Sequence, residues 1–271
     1  MADRAIALLV GIETYPNLDQ SQRLRGTLND VDAMVALLLE RRSDIDLRIM
    51  RDKQATRAAV LAALDQLTAD ADADTEVLFY WSGHGSQLFD ATGASGDEED
   101  GRDETLVPFD SGRGTKPNLD IVDDELRAWL ARLNAVTQRV TLIVDSCHSG
   151  TIPRAGIRLA PADRRPPPVG PLPSAPTTPA GPSGPAGWLP VSNDWVLLAA
   201  CRDGQIAVEL PLDGQMRGVF SWALEQAVRS SPPGATWRQL FALAEVPFGF
   251  MLSGKQTPQL EGRSQRVSIF G

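Results

Sequence analysis

Short apolar runs alternate with longer amphipathic stretches through the first 150 residues, and this alternation restricts the possible folds more than any other feature. Ala5 to Ile12, Asp46 to Met50, Val77 to Trp81 and Arg139 to Val144 have the length and composition of strands. Between the first two, Asn29 to Arg42 sets Val31, Met34, Val35, Leu38 and Leu39 on one helical face. Thr56 is placed to cap a helix through Leu67, with Val60, Leu61, Leu64 and Leu67 as its apolar stripe, and Asp123 to cap another through Leu133. The resulting β-α-β-α order predicts an α/β fold, in which a mostly parallel sheet is covered by helices on both faces.

The pattern breaks after residue 152. Eleven of the 20 prolines fall between Pro161 and Pro190, mixed with Gly, Ser, Ala and Thr. Such a segment has little apolar surface to bury and favours extended, solvated backbone. Residues 153–192 are therefore expected to be a mobile linker between a catalytic segment, 1–152, and a smaller segment, 193–271. The smaller segment carries strand-like runs at Trp195–Ala200 and Gln205–Leu210. Helices are expected at Val219–Val228 and Trp237–Met251, the latter interrupted at Pro247, and a last strand or hairpin follows. It is too short for a good core of its own, so the two segments are expected to share one domain.

Composition excludes several classes. The formal net charge is -9, which repels phosphate backbones and argues against nucleic-acid binding. Two cysteines do not make a disulfide framework and fit a reducing compartment. The apolar run near the N-terminus is too short for a membrane span and reads as a core strand rather than a signal peptide. A cytoplasmic protein without membrane partners is expected.

Two predicted strands end in reactive groups, FYWSGHG at His84 and LIVDSCHSG at Cys147. Open parallel sheets form their sites beyond the carboxyl ends of the strands, so these groups are expected on one edge. A thiol is mostly protonated at neutral pH, and a neighbouring imidazole activates it. Cys147 is read as the nucleophile and His84 as its general base. His148 is the poorer base, because adjacent side chains in extended backbone point to opposite faces. The glycines around the motifs leave backbone donors accessible, and the N–H groups of Gly85 and Cys147 are the expected oxyanion donors. Two Cys and two His without Cys-x-x-Cys or His-x₃-His spacing argue against zinc. Cys201 is expected to pack rather than react.

SGHG and DSCHSG, each after an apolar strand, together resemble the catalytic pair of caspase-like peptidases, the metacaspase branch in particular. ALLVGIETYPNL…LRGTLNDVDAM, DETLVPFD, IVDDEL, DWVLLAACRDGQIAVE, GVFSWALEQA and QTPQL extend the resemblance from about Ile6 to Leu260, excluding the linker. It implies the caspase-like three-layer sandwich, cysteine endopeptidase activity, and large- and small-subunit-like segments before and after the linker. Asp30 and Asp145 match the acidic S1 pocket, which would select Arg or Lys at P1 by charge-assisted hydrogen bonds. Asp103, Asp123 and Asp124 match calcium ligands of calcium-dependent members, so calcium is a candidate activator. The fourth acid of that set is replaced by Arg154. The surrounding stretch, Asp90 to Asp110, holds eight acids against one arginine, which suits either a cation or a solvated loop.

A basic P1 preference would make Arg154 and Arg158 candidate self-processing sites and the chain a zymogen. Arg165 is a poorer site because Pro166 follows it. The expected partners are peptide or protein substrates with a basic P1 residue, and the resemblance leans toward a monomer. Cleavage after Asp, a catalytically silent caspase-like scaffold and an unrelated thiol hydrolase remain as alternatives.

Overall fold

The computed structural model describes residues 4–89, 102–146, 194–202, 205–252 and 255–270. A six-stranded sheet forms its centre. Its strands are β1 (Ala5–Gly11), β2 (Asp46–Arg51), β3 (Glu76–Ser82), β7 (Val140–Asp145), β8 (Trp195–Ala199) and β11 (Gln259–Gly262), in the order β11-β8-β7-β3-β1-β2. All neighbours are parallel except β11, which runs antiparallel to β8. In β1, β3 and β7 every residue is buried, because helices cover both faces, and this is why their sequences are near-continuous apolar runs rather than alternating ones.

The two faces have separate cores. On one face α1 (Thr27–Arg41), α4 (Val219–Ser230) and α5 (Trp237–Ala244), followed by α6 (Val246–Met251), pack over Ala7, Leu9, Leu78, Tyr80, Ile143 and Leu198. On the other, α2 (Arg57–Asp70) and α3 (Asp123–Asn134) pack over Leu8, Val10, Phe79, Trp81, Leu142 and Leu197. Alternate residues of one strand thus serve opposite cores, as the two-residue period of a strand requires. The buried Trp129 indole donates to the Leu64 carbonyl at 2.8 Å and ties α3 to α2. The expected three-layer α/β sandwich is the observed one. Among the described residues no helix is long and apolar enough to cross a membrane.

Some local expectations change. Trp237–Met251 is two helices meeting at Glu245, with Pro247 in the first turn of α6, where a missing N–H is tolerated. The expected strand at Gln205–Leu210 lies further on. It is β9 (Glu209–Leu212), which forms a hairpin with β10 (Gln215–Gly218) outside the central sheet. Its turn places Asp213 and Gly214 at positive φ, 51° and 80°, the geometry that makes Asp-Gly a strong hairpin signal. Part of the acidic stretch is also structured. β4 (Gly85–Phe89), β5 (Arg102–Leu106) and β6 (Ile121–Val122) form a small antiparallel sheet in which Glu104 is buried and accepts from Gln87. A wholly solvated loop is therefore not what this stretch forms.

Candidate active site

β3 and β7 are parallel neighbours, in register from Val77↔Val140 to Ser82↔Asp145. His84 lies two residues past Ser82, and Cys147 two residues past Asp145. Cys147, Arg154, Arg158 and the segment 153–192 lie outside the described residues, and the chain is followed as far as Ser146. The two motifs thus leave adjacent strands at the same edge of the sheet.

His84 is fully buried and held on three sides. Its backbone N–H donates to the Tyr15 hydroxyl at 2.8 Å, and the Tyr15 ring lies tilted against the imidazole at 4.7 Å. Its Nε2 is 2.6 Å from the Gln22 carbonyl. A carbonyl only accepts, so in the neutral ring Nε2 carries the proton and Nδ1 carries the lone pair. Gly85, an expected oxyanion donor, opens β4 opposite Leu106.

The expected S1 carboxylates converge on the first turn of α4. Asp30 is buried at the start of α1. It accepts from the Gly218 N–H at 3.0 and 3.1 Å, the Ser82 hydroxyl at 3.1 Å and the Arg217 Nε at 2.8 Å. Asp145 is likewise buried and accepts from the Ser221 N–H at 3.1 Å and the Ser221 hydroxyl at 2.6 Å. A helix N-terminus presents unsatisfied N–H groups and a positive dipole end, which explains why both acids settle there. The Ser221 hydroxyl has one proton and gives it to Asp145, so Tyr80, 2.7 Å away, donates to Ser221.

Residues not singled out in the sequence complete this cluster. Arg217 bridges Asp30 to Glu225, which it meets at 2.9 Å. Burial works against its charge, but Asp30 and Glu225 outweigh that effect and hold its pKa above the ordinary value. Glu209 is fully buried and accepts from the N–H groups of Arg25 and Gly26 at 2.9 and 3.0 Å, fixing the loop before α1. One signal for Arg217 was available: a cation immediately before an amphipathic helix opposes the helix dipole and calls for a compensating acid.

Of the expected calcium set, Asp123 and Asp124 share a cation. Asp103 lies in β5 opposite Leu88. Asp123 is fully buried and pairs with Arg127 at 3.1 Å, and Asp124 pairs with the same guanidinium. Among the described residues no group of three or more His, Cys, Asp or Glu is arranged to hold a metal ion. A divalent cation between Asp123 and Asp124 would have to displace a nearly buried arginine. Cys201 packs in the core with its sulfur 3.6 Å from the carbonyls of Ser146 and Gln205, as expected of a structural thiol.

Comparison with known proteins adds the following. The profile of the metacaspase, peptidase C14 domain family matches residues 6–154. Metacaspase-1 of Pyricularia oryzae is 37% identical over 153 residues, 54% of this chain and 36% of its own length. Metacaspase-1B of Aspergillus oryzae is 30% identical over 267 residues, 84% of this chain and 61% of its own length. The chain thus spans 36% to 61% of the length of these relatives. A crystal structure of a Geobacter sulfurreducens protein superposes with a TM-score of 0.66 over 98% of both chains at 20% identity, which shows the shared fold.

Proposed function

Because this chain belongs to the metacaspase, peptidase C14 domain family, we propose that it is a cysteine endopeptidase that cleaves peptide bonds after Arg or Lys with a Cys147–His84 dyad. One observation carries the reading: β3 and β7 are register-matched parallel neighbours whose ends lead directly into the two motifs. With Nε2 engaged by Gln22, Nδ1 of His84 is the nitrogen that accepts the thiol proton. The thiolate attacks the scissile carbonyl, and the tetrahedral oxyanion is taken by the N–H groups of Gly85 and Cys147. The imidazolium then protonates the leaving amine, and water, deprotonated by His84, hydrolyses the thioester. Calcium has no step in this scheme.

The charge balance supports a basic P1 residue. Four buried or nearly buried acids, Asp30, Asp145, Glu209 and Glu225, lie on the elements around the start of α4, and Arg217 pairs with two of them, Asp30 and Glu225. Arg217 is also what favours the second reading, cleavage after Asp, but its charge is already shared by two carboxylates and leaves none for an acidic side chain. Self-processing after Arg154 or Arg158 follows from the same preference. Fluorogenic peptides with Arg, Lys or Asp at P1 test the proposal. Wild-type protein is expected to turn over the Arg and Lys peptides, and Cys147→Ala none. Turnover surviving in Cys147→Ala, or no turnover of any peptide by wild type, overturns it, the latter in favour of a silent scaffold.

A further inference from the structure

Asp30 is already occupied by a group of the kind it is proposed to recognise. The Arg217 guanidinium reaches it through Nε at 2.8 Å, with a second arm on Glu225 at 2.9 Å, and only 8% of the side chain is exposed. Arg217 lies on β10, in the hairpin outside the central sheet, so its position depends on hairpin contacts rather than on the sheet ladder. Several of those contacts lead to the loop and helix that carry Asp30. Glu209 holds the N–H groups of Arg25 and Gly26, and Asn29 donates to the Met216 carbonyl at 2.9 Å. Gly26 has no side chain where one would stand 3.0 Å from the Arg217 backbone. The chain is therefore built to bring an arginine of its own onto this carboxylate.

We propose that Arg217 is a specificity-determining residue, an internal guanidinium that occupies Asp30 and that a basic P1 side chain must displace. The inference rests on the proposed reading of Asp30 and Asp145 as the S1 acids. A tethered competitor acts at a high effective concentration, so it weakens the binding of basic P1 residues while leaving neutral ones untouched.

The test compares Arg217→Gln, Arg217→Lys and Arg217→Gln/Asp30→Asn with the parent, each with Cys147→Ala, using labelled peptides with Arg or Ala at P1 and fluorescence polarisation. Binding is read without turnover, so the result does not depend on whether the dyad is active. Arg217→Gln is expected to bind the Arg peptide about tenfold more tightly, with the Ala peptide unchanged, because one charge-assisted contact becomes available. Arg217→Lys, which keeps a charge on Asp30 and loses the arm on Glu225, shows a smaller gain in the same direction and serves alone if the glutamine variant does not fold. Adding Asp30→Asn removes the gain. Equal Arg-peptide affinity in parent and variants, a loss on freeing Asp30, or a parallel change for both peptides overturns the proposal. In the active enzyme the same substitution lowers KM for Arg substrates without lowering kcat, whereas failure of the peptidase reading would show as no turnover by any form.

Discussion

Replacing Ser221 by alanine tests the idea that Asp145 is held in place by α4. The Ser221 hydroxyl donates to Asp145 at 2.6 Å and accepts from Tyr80 at 2.7 Å, both within the buried interface between α4 and the sheet. Losing a hydrogen bond to a carboxylate costs about 1.5–3 kcal/mol, and removing the acceptor of the Tyr80 hydroxyl about 1 kcal/mol. The better helix propensity of alanine returns about 0.5 kcal/mol, so a net loss of about 2–3.5 kcal/mol is expected. At a urea slope of about 3 kcal/mol/M the unfolding midpoint falls by roughly 0.7–1.2 M. Tyr80→Phe removes only the outer bond and should cost about 1 kcal/mol. Urea titration of the wild type, both single variants and the double variant provides the measurement. The double variant is expected to resemble Ser221→Ala, because both substitutions break one chain. A Ser221→Ala loss below about 0.5 kcal/mol, or a Tyr80→Phe loss as large as that of Ser221→Ala, would refute the chain as drawn.

Four further outcomes follow. His84→Ala should lower kcat/KM on an Arg peptide about a thousandfold, the range expected for removing a general base, with the melting temperature as a check on folding. Intact-mass analysis should find wild type cut after Arg154 or Arg158 and Cys147→Ala uncut; identical masses would count against self-processing. Arg127→Asn leaves the buried Asp123 carboxylate without that cation and should cost about 3 kcal/mol. Calorimetry should detect no calcium heat in wild type, while calcium should raise the melting temperature of the Arg127→Asn variant. Burial raises the Glu13 pKa above 4.5, with Glu209 and Asp52 adding to it and the Leu28 N–H and Arg23 opposing. The folded state therefore holds this proton more tightly, and stability falls as pH climbs from 4.5 through the folded value. Glu13→Gln should unfold at higher urea than wild type at pH 7, with no advantage near pH 4.

The central sheet was legible because double-sided burial makes β1, β3 and β7 mostly apolar, and the helices because one face of each meets that sheet. The small sheet β4-β5-β6 was not. Its buried members include Gln87, Glu104 and Thr105, and such polar positions are stabilised by partners such as Asp120 on Thr105, not by hydrophobicity. At the site, Asp30 and Asp145 were found by motif resemblance, and the structure gathers them at one helix terminus. Their partners were hidden for a simple reason. Arg217 and Ser221 lie 187 and 76 residues away from the acids they serve, and no local pattern records a pairing over such a span. Arg127 was in plain view four residues after Asp123, the spacing at which helical side chains meet, so that ion pair was legible in the sequence.

The order β11-β8-β7-β3-β1-β2 has a further consequence. Residues before and after 153–192 lie side by side in one fabric, since β8 and β11, which follow that segment, form one edge of the sheet and β8 is stitched to β7, which precedes it. A nick between them would sever the polypeptide while both pieces stayed joined through the β7–β8 backbone ladder and a common apolar interior. The cut form would migrate as two bands under denaturing electrophoresis and as one particle in native chromatography. Once pulled apart in denaturant, its halves would have to find each other by collision, so renaturation would become dependent on protein concentration in a way the uncut chain escapes.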